Sequence, residues 1–229
     1  MNNSRRAIKK KLGVLLLESE DIMHVLAKIE SFPLFRVVNA LFTFLYDTNE
    51  KVRWRAVSVM GRVVSVIADN DIESARVIVR RLMWNLNDES GGIGWGSVEA
   101  MGEILALHRI LADEYANILI SYIKEDANYQ EHEIMQRGVL WAIGRLAQVR
   151  PELEGEAIPF VIPFLDSADQ VRRGLAAWIM GLLKVKMVND KLVSMLDDDA
   201  RLHIYCNYDI VETTVRDIVL SALTKIHGR

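Results

Sequence analysis

The sequence predicts an all-α protein, a right-handed α-α superhelix of about five stacked helix pairs with a small β-hairpin near its C-terminus. The main observation is an internal repeat. Segment 52–61 reads VRWRAVSVMG and returns four more times in altered form, with its closing position at Gly61, Gly102, Gly144, Gly181 and Thr224. A period near 40 residues is typical of α-solenoids, whose units bury their apolar faces only against their neighbours.

Composition supports this fold class and narrows the range of functions. The chain has 229 residues, of which 51% are hydrophobic, enough for a sizeable core. The formal net charge is −3 with both signs interspersed, so the chain as a whole does not attract nucleic acid or an anionic membrane. The single cysteine, Cys206, excludes an intramolecular disulfide and fits a reducing compartment. We therefore expect a cytoplasmic protein.

The N-terminal part, about residues 1–34, is predicted to form capping helices within a single domain that spans residues 1–229. Basic residues in 5–11 precede the short apolar run 12–17, which is followed at once by acidic residues. This run is too short for the apolar region of an export signal, and nothing approaches the roughly 18 apolar residues of a membrane span. We expect no membrane segment.

Each repeat is predicted to begin with an apolar helix that ends near an aspartate. The apolar runs are 37–46, 77–86, 158–165 and 191–196, followed by Asp47, Asp88, Asp166 and Asp197. Aspartate suits such a position because its side chain bonds to nearby backbone N–H groups.

The second helix of each repeat carries an apolar face with a period of 3.6 residues. In the first repeat this face consists of Val52, Ala56, Val59, Met60 and Val63. Glycine at position 61 costs about 1 kcal/mol inside a helix. We therefore expect close backbone packing at Gly61 and its equivalents.

Three irregular segments interrupt the repeats. Segment 87–96 is rich in glycine but lacks the Gly-Lys-Ser/Thr of a phosphate-binding loop. We interpret it either as a tight turn with φ > 0 or as an anion site at a helix start. Segment 124–133 ends in Glu131-His132-Glu133, a solvated helix start or one half of a metal site. Alternation in 203–212 around residues 207–209 predicts the hairpin, and Thr214 with Asp217 predicts a capping box before the last helix.

The repeat units resemble those of the HEAT-repeat family, including its PBS-lyase-like and armadillo-type relatives, over about residues 35–229. The unit of that family reads Val-Arg-x-x-Ala-x-x-x-x-Gly, matched here by Val52-Arg53…Ala56…Gly61. The segment Val171-Arg172…Ala176…Gly181 has one extra residue, and the segment at Val215-Arg216 keeps the Val-Arg pair. Proteins of this family mostly bind other macromolecules, so the resemblance implies an interaction role.

A second pattern lies on the opposite face of the second helices. Projected at 100° per residue, four of the five tryptophans turn away from the partner helix together with charged residues, and the set is Trp54, Trp95, Glu99, Glu103, Arg137, Trp141, Arg145 and Trp178. In a stack of this family that face lines the concave groove. The tryptophans are either structural, packing between adjacent repeats, or anchors for a bound segment.

Two enzyme families provide alternatives. Alkylpurine DNA glycosylases built from HEAT-like repeats use tryptophans, an arginine and a carboxylate, and Glu99 with Trp95, Arg137 and Trp178 is similar in arrangement, although that family has Asp at the acidic position. Deoxyhypusine hydroxylase, a HEAT-repeat enzyme, holds iron with several His-Glu pairs. Only His132-Glu133 resembles such a pair, so we predict no metal and no cofactor.

The sequence thus predicts a scaffold or adaptor that binds a protein or peptide segment in a groove lined by Trp, Arg and Glu. No reaction is assigned, and the charge balance argues against a nucleic-acid partner.

Overall fold

A computed structural model describes residues 5–29, 31–87 and 94–228 of the chain, and this part is mostly helical. Its helices are α1 (Arg5–Glu18), α2 (Ile22–Ile29), α3 (Leu34–Leu41), α4 (Glu50–Asn70), α5 (Ile72–Leu86), α6 (Ser97–Leu107), α7 (Arg109–Ser121), α8 (Glu133–Val149), α9 (Ile158–Val161), α10 (Gln170–Leu182), α11 (Asn189–Ser194) and α12 (Val215–His227). The strands β1 (Arg201–Cys206) and β2 (Asp209–Thr214) form an antiparallel pair. The prediction of an all-α repeat protein with one hairpin is confirmed.

The chain divides into two compact units, Met1–Leu111 and Ala112–Arg229. The single domain over residues 1–229 stays a prediction, and we describe each unit by itself. None of the described helices is both long and apolar enough to cross a membrane.

In the first unit, α4 is the central helix and packs against α1, α2, α3, α5 and α6. Its predicted apolar face is buried: Val52 is 5% exposed and Ala56, Val59 and Met60 are 0% exposed. The helices α1 and α2 both pack against α4. Asn49 begins α4, where its side chain accepts a hydrogen bond from the backbone N–H of Val52 at 3.3 Å.

In the second unit, α10 packs against both α8 and α12, so the second helices of successive repeats lie side by side. Side chains cap their N-termini: His132 for α8, Asp169 for α10 and Thr214 for α12. The predicted capping box is present, with Thr214 Oγ1 accepting from the backbone N–H of Asp217 at 3.1 Å and donating to its carboxylate at 2.7 Å.

The hairpin is also present where alternation predicts it. Cys206 pairs with Asp209 at its closed end, and the turn residues Asn207 and Tyr208 have φ values of 50° and 67°. Two consecutive left-handed residues match the twist of antiparallel strands, which explains the two-residue connection.

The run 77–86 lies entirely within α5, but the α-helices at two other predicted first-helix positions are shorter than their apolar runs. The run 158–165 forms the single turn α9 and then the 3₁₀ segment Ile162–Asp166. Proline at position 163 has no N–H to continue an α-helical ladder, and the backbone tightens instead. The run 37–46 likewise leaves the α-helix after Leu41.

The repeated glycines are sites of close packing between neighbouring second helices. A Cβ on Gly61 would lie 2.4 Å from Glu103 Cγ, and one on Gly181 would lie 2.6 Å from Ala222 Cα. A Cβ on Gly144 would lie 2.1 Å from the ring of Trp178. The predicted backbone contact therefore occurs at Gly181, whereas side chains of the next helix fill the space at Gly61 and Gly144.

Candidate partner-binding surface

The start of α6 positions two of the predicted site residues in the first unit. Trp95 precedes the helix and Glu99 lies in its first turn, with Gly96 between them at φ = 73°. A Cβ at Gly96 would lie 2.2 Å from the carbonyl oxygen of Leu45, so both the space and the dihedral angle require glycine. The predicted tight turn with φ > 0 is confirmed at this residue, while the glycine positions 91 and 92 lie outside the described residues.

Trp95 and Glu99 each keep a buried polar atom unsatisfied. Within the part of the chain that the structure describes, Trp95 Nε1 and Glu99 Oε2 have no hydrogen-bond partner. Burial raises the pKa of the Glu99 carboxyl, although backbone N–H groups at the helix start and the positive charge of Arg53 act in the opposite direction. Each unsatisfied atom costs stability, on the order of 1–3 kcal/mol.

Trp54 lies one helix away, on α4, and is half-buried, as are Trp95 and Glu99. Trp54 and Arg53 are neighbours on α4, which packs directly against α6. The first unit thus combines two partly exposed indoles with a carboxyl group and a guanidinium.

Two of the predicted partner-binding residues are buried: Glu103, expected to orient the partner by its charge, and Trp141, expected to be an apolar anchor. Glu103 is 2% exposed, because it fills the space above Gly61. Trp141 is 3% exposed; its indole N–H donates to the carbonyl oxygen of Tyr205 at 2.8 Å, and the two rings lie 6.1 Å apart. Trp141 therefore links α8 to strand β1 of the hairpin by a hydrogen bond and a ring contact.

Trp178 on α10 also has a packing role, since its ring covers Gly144 on α8. It is half-buried, so part of the ring faces outward. The structural interpretation of the tryptophans, packing between adjacent repeats, is confirmed for Trp178, which bridges neighbouring second helices.

The two predicted arginines, Arg137 and Arg145, both lie on α8. Arg137 donates to the Asp169 carboxylate through Nε at 2.9 Å and also through its terminal nitrogen. Burial favours a higher pKa for Asp169, but hydrogen bonds from Arg137 and from backbone N–H groups of α10 outweigh it and lower the pKa. Arg145 is half-buried on α8. The guanidinium of Arg137 is therefore bound to the side chain that caps α10.

The eight predicted residues divide equally between the units. Those in Met1–Leu111 are Trp54, Trp95, Glu99 and Glu103, and those in Ala112–Arg229 are Arg137, Trp141, Arg145 and Trp178. A continuous groove through all of them stays a prediction.

Sequence reasoning missed two conspicuous side chains. Trp84 is 75% exposed on α5. Its exposure could have been predicted from the sequence, because Trp84 does not share the helix face of the buried residues Ala75, Ile78, Val79 and Leu82. Arg55 is 6% exposed and donates to the carbonyl oxygens of Leu16, Ser19 and Glu20 at 3.0, 2.8 and 3.2 Å. No local pattern links Arg55 to the end of α1.

The histidine and cysteine candidates have structural roles. His132 Nδ1 accepts a hydrogen bond from the backbone N–H of Ile134 at 3.2 Å and caps α8. Of the two interpretations of this segment, a helix start or half of a metal site, this geometry matches the helix start. Across residues 5–29, 31–87 and 94–228, no three His, Cys, Asp or Glu side chains gather closely enough to hold an ion. Burial, and then the charge of Asp209, raise the pKa of the Cys206 thiol, which disfavours the nucleophilic thiolate.

Comparison with known proteins agrees with this architecture. Residues 134–183 match the model of the HEAT-like repeat family. An uncharacterized protein of Archaeoglobus fulgidus is 26% identical over 186 residues, which cover 79% of this chain and 92% of that protein.

Solved structures show the same fold at low sequence identity. A designed armadillo repeat protein in complex with the peptide (KR)4 has a TM-score of 0.58 at 16% identity, covering 96% of this chain and 92% of that one. An engineered protein has a TM-score of 0.55 at 17% identity and 97% coverage of both chains. A computationally designed armadillo repeat protein for modular peptide recognition has a TM-score of 0.53 at 18% identity, covering 96% and 92%.

The helix pairs, the glycine contacts between second helices and these matches define the class: the chain has the helical-repeat fold of HEAT and armadillo proteins, and its residues 134–183 match the HEAT-like repeat model.

Proposed function

We propose that this protein is a scaffold that binds an extended segment of a partner protein, with the contact in the first unit centred on Trp95 and Glu99. The observation that carries the proposal is a pair of buried polar atoms, an indole N–H and a carboxyl oxygen of residues four apart at the start of α6, which have no partner among the described residues. A fold that keeps two such atoms without partners loses stability. Binding a partner would recover that loss.

The chemistry of the pair suits a polypeptide main chain. Both atoms are buried, so the start of α6 must shift before a partner can reach them. An extended segment, with its alternating C=O and N–H groups, would then accept from Trp95 Nε1 and donate to Glu99 Oε2. The exposed parts of Trp54 and Trp95 supply apolar contact area, which hot spots of protein interfaces commonly use. Arg53 would add a contact for an acidic group on the partner.

Two further considerations support this role. A designed armadillo repeat protein of the same fold forms a complex with the peptide (KR)4, and another was designed for modular peptide recognition. The single cysteine fits a reducing compartment, and we place the protein in the cytoplasm. Arg145 and Trp178 of the second unit stay predicted partner contacts, whereas buried Glu103 and Trp141 do not contribute.

The test compares variants that each change one of the two polar atoms. Trp95→Phe removes the indole N–H but keeps an aromatic ring, and Glu99→Gln replaces one oxygen by an NH₂ group that cannot accept. Each should weaken binding of a partner about tenfold, the value of one hydrogen bond of about 1.4 kcal/mol. Partners are captured from the native host on the immobilised wild-type chain, and affinity is then measured by titration calorimetry.

Trp84→Phe is the matched control, because Trp84 is 75% exposed on a different helix. Circular dichroism confirms that all three variants are folded. If the Trp95 and Glu99 variants bind the captured partner as tightly as the Trp84 variant does, the proposed surface is wrong.

A further inference from the structure

A cavity of about 490 Å³ lies on the N-terminal cap, away from the α4–α6 residues considered above. Its walls come from α1 and from Phe44, which follows α3. Within the described residues Phe44 approaches α1 at Gly13, where an added Cβ would lie 3.2 Å from the ring. Glycine at this position therefore lets the aromatic ring lie close to the helix backbone and form the floor of the cavity.

The lining is divided into a cationic half and an apolar half. Arg6, Lys9 and Lys10 occupy the beginning of the lining, and Val14 and Leu17 occupy its end. Val14 is 44% exposed and Leu17 is 46% exposed, so both aliphatic side chains can contact a bound molecule. Because residues three and four apart share a helix face, the two halves run along one stripe of α1.

The three cations of the lining are exposed to solvent. In the described ranges, none of Arg6, Lys9 and Lys10 forms an ion pair with a carboxylate. Lys9 Nζ lies 6.0 Å from the centre of the Phe44 ring, at the boundary between the two halves. The one acidic side chain of the lining, Glu18, lies on the apolar end of the stripe.

We propose that this cavity, the α1 groove, binds a linear segment of a partner protein in which acidic residues are followed by apolar ones. The acidic residues would pair with Arg6, Lys9 and Lys10, and the apolar residues would cover Val14, Leu17 and Phe44. From Arg6 to Leu17 the helix rises roughly 16 Å, a distance that about five extended residues span. The occupant is a short motif, and its direction follows from the charge division.

The same features disfavour the other anionic partners. A nucleic acid presents phosphates along its whole length, whereas half of this stripe is apolar and ends in a carboxylate. A flat anionic membrane would meet the same carboxylate beside the apolar residues, where it opposes insertion. Charge complementarity combined with an apolar end therefore favours a peptide.

The experiment measures fluorescence anisotropy of a labelled synthetic peptide that carries a run of Glu followed by Leu and Phe. The full chain should bind this probe, and raising the NaCl concentration should weaken binding because exposed charges are screened. The double substitution Lys9→Glu with Lys10→Glu should weaken binding at least tenfold. The control, Lys186→Glu with Lys225→Glu, makes the same change of net charge at two exposed lysines elsewhere and should change binding less than twofold.

A second variant tests the apolar half without changing charge. Leu17→Gln should weaken binding of the peptide that carries Leu and Phe severalfold. It should not change binding of a second peptide in which Gly replaces Leu and Phe. Because Leu17, Lys9 and Lys10 are exposed, these variants should unfold at the wild-type temperature, which is measured in parallel.

Three results would overturn the proposal: no binding of the probe by the wild-type chain, equal effects of the two double substitutions, or tighter binding of a DNA oligonucleotide or of phosphatidylserine-containing vesicles than of the peptide. The proposal does not depend on the α6 surface. Trp95→Phe should leave probe binding intact, and the lysine variant should still bind the partner that Trp95 and Glu99 recognise, so that either proposal can fail alone.

Discussion

At the scale of single residues, Glu154 is a carboxyl group that folding removes from water. It lies between the 3₁₀ turns Pro151–Leu153 and Gly155–Ala157, with 0% exposure. Neither carboxyl oxygen has a hydrogen-bond partner among the described residues. Burial alone raises its pKa from the ordinary 4.5 to about 9, so the folded protein holds Glu154 protonated at neutral pH.

This raised pKa predicts a pH-dependent stability of definite sign. Between about pH 4.5 and 9 the unfolded chain loses the Glu154 proton and the folded chain keeps it. Unfolding then releases a proton, so the free energy of unfolding falls as the pH rises, by an amount on the order of several kcal/mol over the whole window. Glu154→Gln should remove this slope and raise the midpoint of urea unfolding most at the alkaline end.

Urea unfolding at several pH values between 5 and 9 checks the prediction. Glu156→Gln is the matched control, since Glu156 is exposed only two residues away. A Glu154 variant whose stability changes with pH as the wild type does would show that Glu154 does not titrate in this way.

At the scale of helices, contacts between neighbouring second helices depend on small residues. The ring of Trp178 on α10 occupies the space that a side chain at position 144 of α8 would need. The distance between α8 and α10 at this point therefore depends on the absence of a Cβ atom at Gly144. The same principle operates at Gly61, where the intruding group is Glu103.

We predict that Gly144→Ala destabilises the protein by about 1–3 kcal/mol, because the new methyl group overlaps the Trp178 ring and forces one helix to shift. The better helix propensity of alanine, about 1 kcal/mol, offsets part of this cost. Gly155→Ala is the control, since nothing lies within 4 Å of its built Cβ, and it should change stability by less than about 0.5 kcal/mol. Equal midpoints of urea unfolding for the two variants would contradict the packing argument.

At the scale of the whole molecule, stability is built from contacts between elements that are near each other in the chain. Arg55 shows how such contacts are completed, because it joins α4 to the last carbonyl groups of α1 and to the residues that follow. Helix ends leave carbonyl groups unpaired, and buried ones need a donor from elsewhere. In a repeat protein the loss of such a contact is expected to affect mainly the neighbouring elements.

We predict that Arg55→Leu lowers the stability of the first unit by about 2–3 kcal/mol, since it leaves buried carbonyl groups without a donor. Amide hydrogen exchange should accelerate in α1 and α4 and change little in α10 and α12. Arg62→Leu, an exposed arginine on the same helix, is the control and should leave exchange unchanged. Uniform acceleration along the whole chain would contradict the nearest-neighbour behaviour.

Local patterns in the sequence were sufficient for the elements of this fold. The 3.6-residue period of Val52, Ala56 and Met60 predicted the buried face of α4, because side-chain direction in a helix follows from sequence spacing. The turn 207–208 and the Thr214–Asp217 capping box were predicted for the same reason: their hydrogen bonds join residues a few positions apart. The repeat period predicted the fold class, since each unit needs neighbours of its own kind.

Only the tertiary structure decided which members of a helix face are available to a partner. Periodicity placed Trp95, Trp141 and Trp178 on one face, but the hairpin covers Trp141 and the ring of Trp178 fills the space at Gly144. The unsatisfied atoms of Trp95 and Glu99 and the burial of Glu154 were equally invisible, because burial depends on residues distant in the chain. Spacing along one helix determines the direction of a side chain, and the packing of other elements determines what it meets.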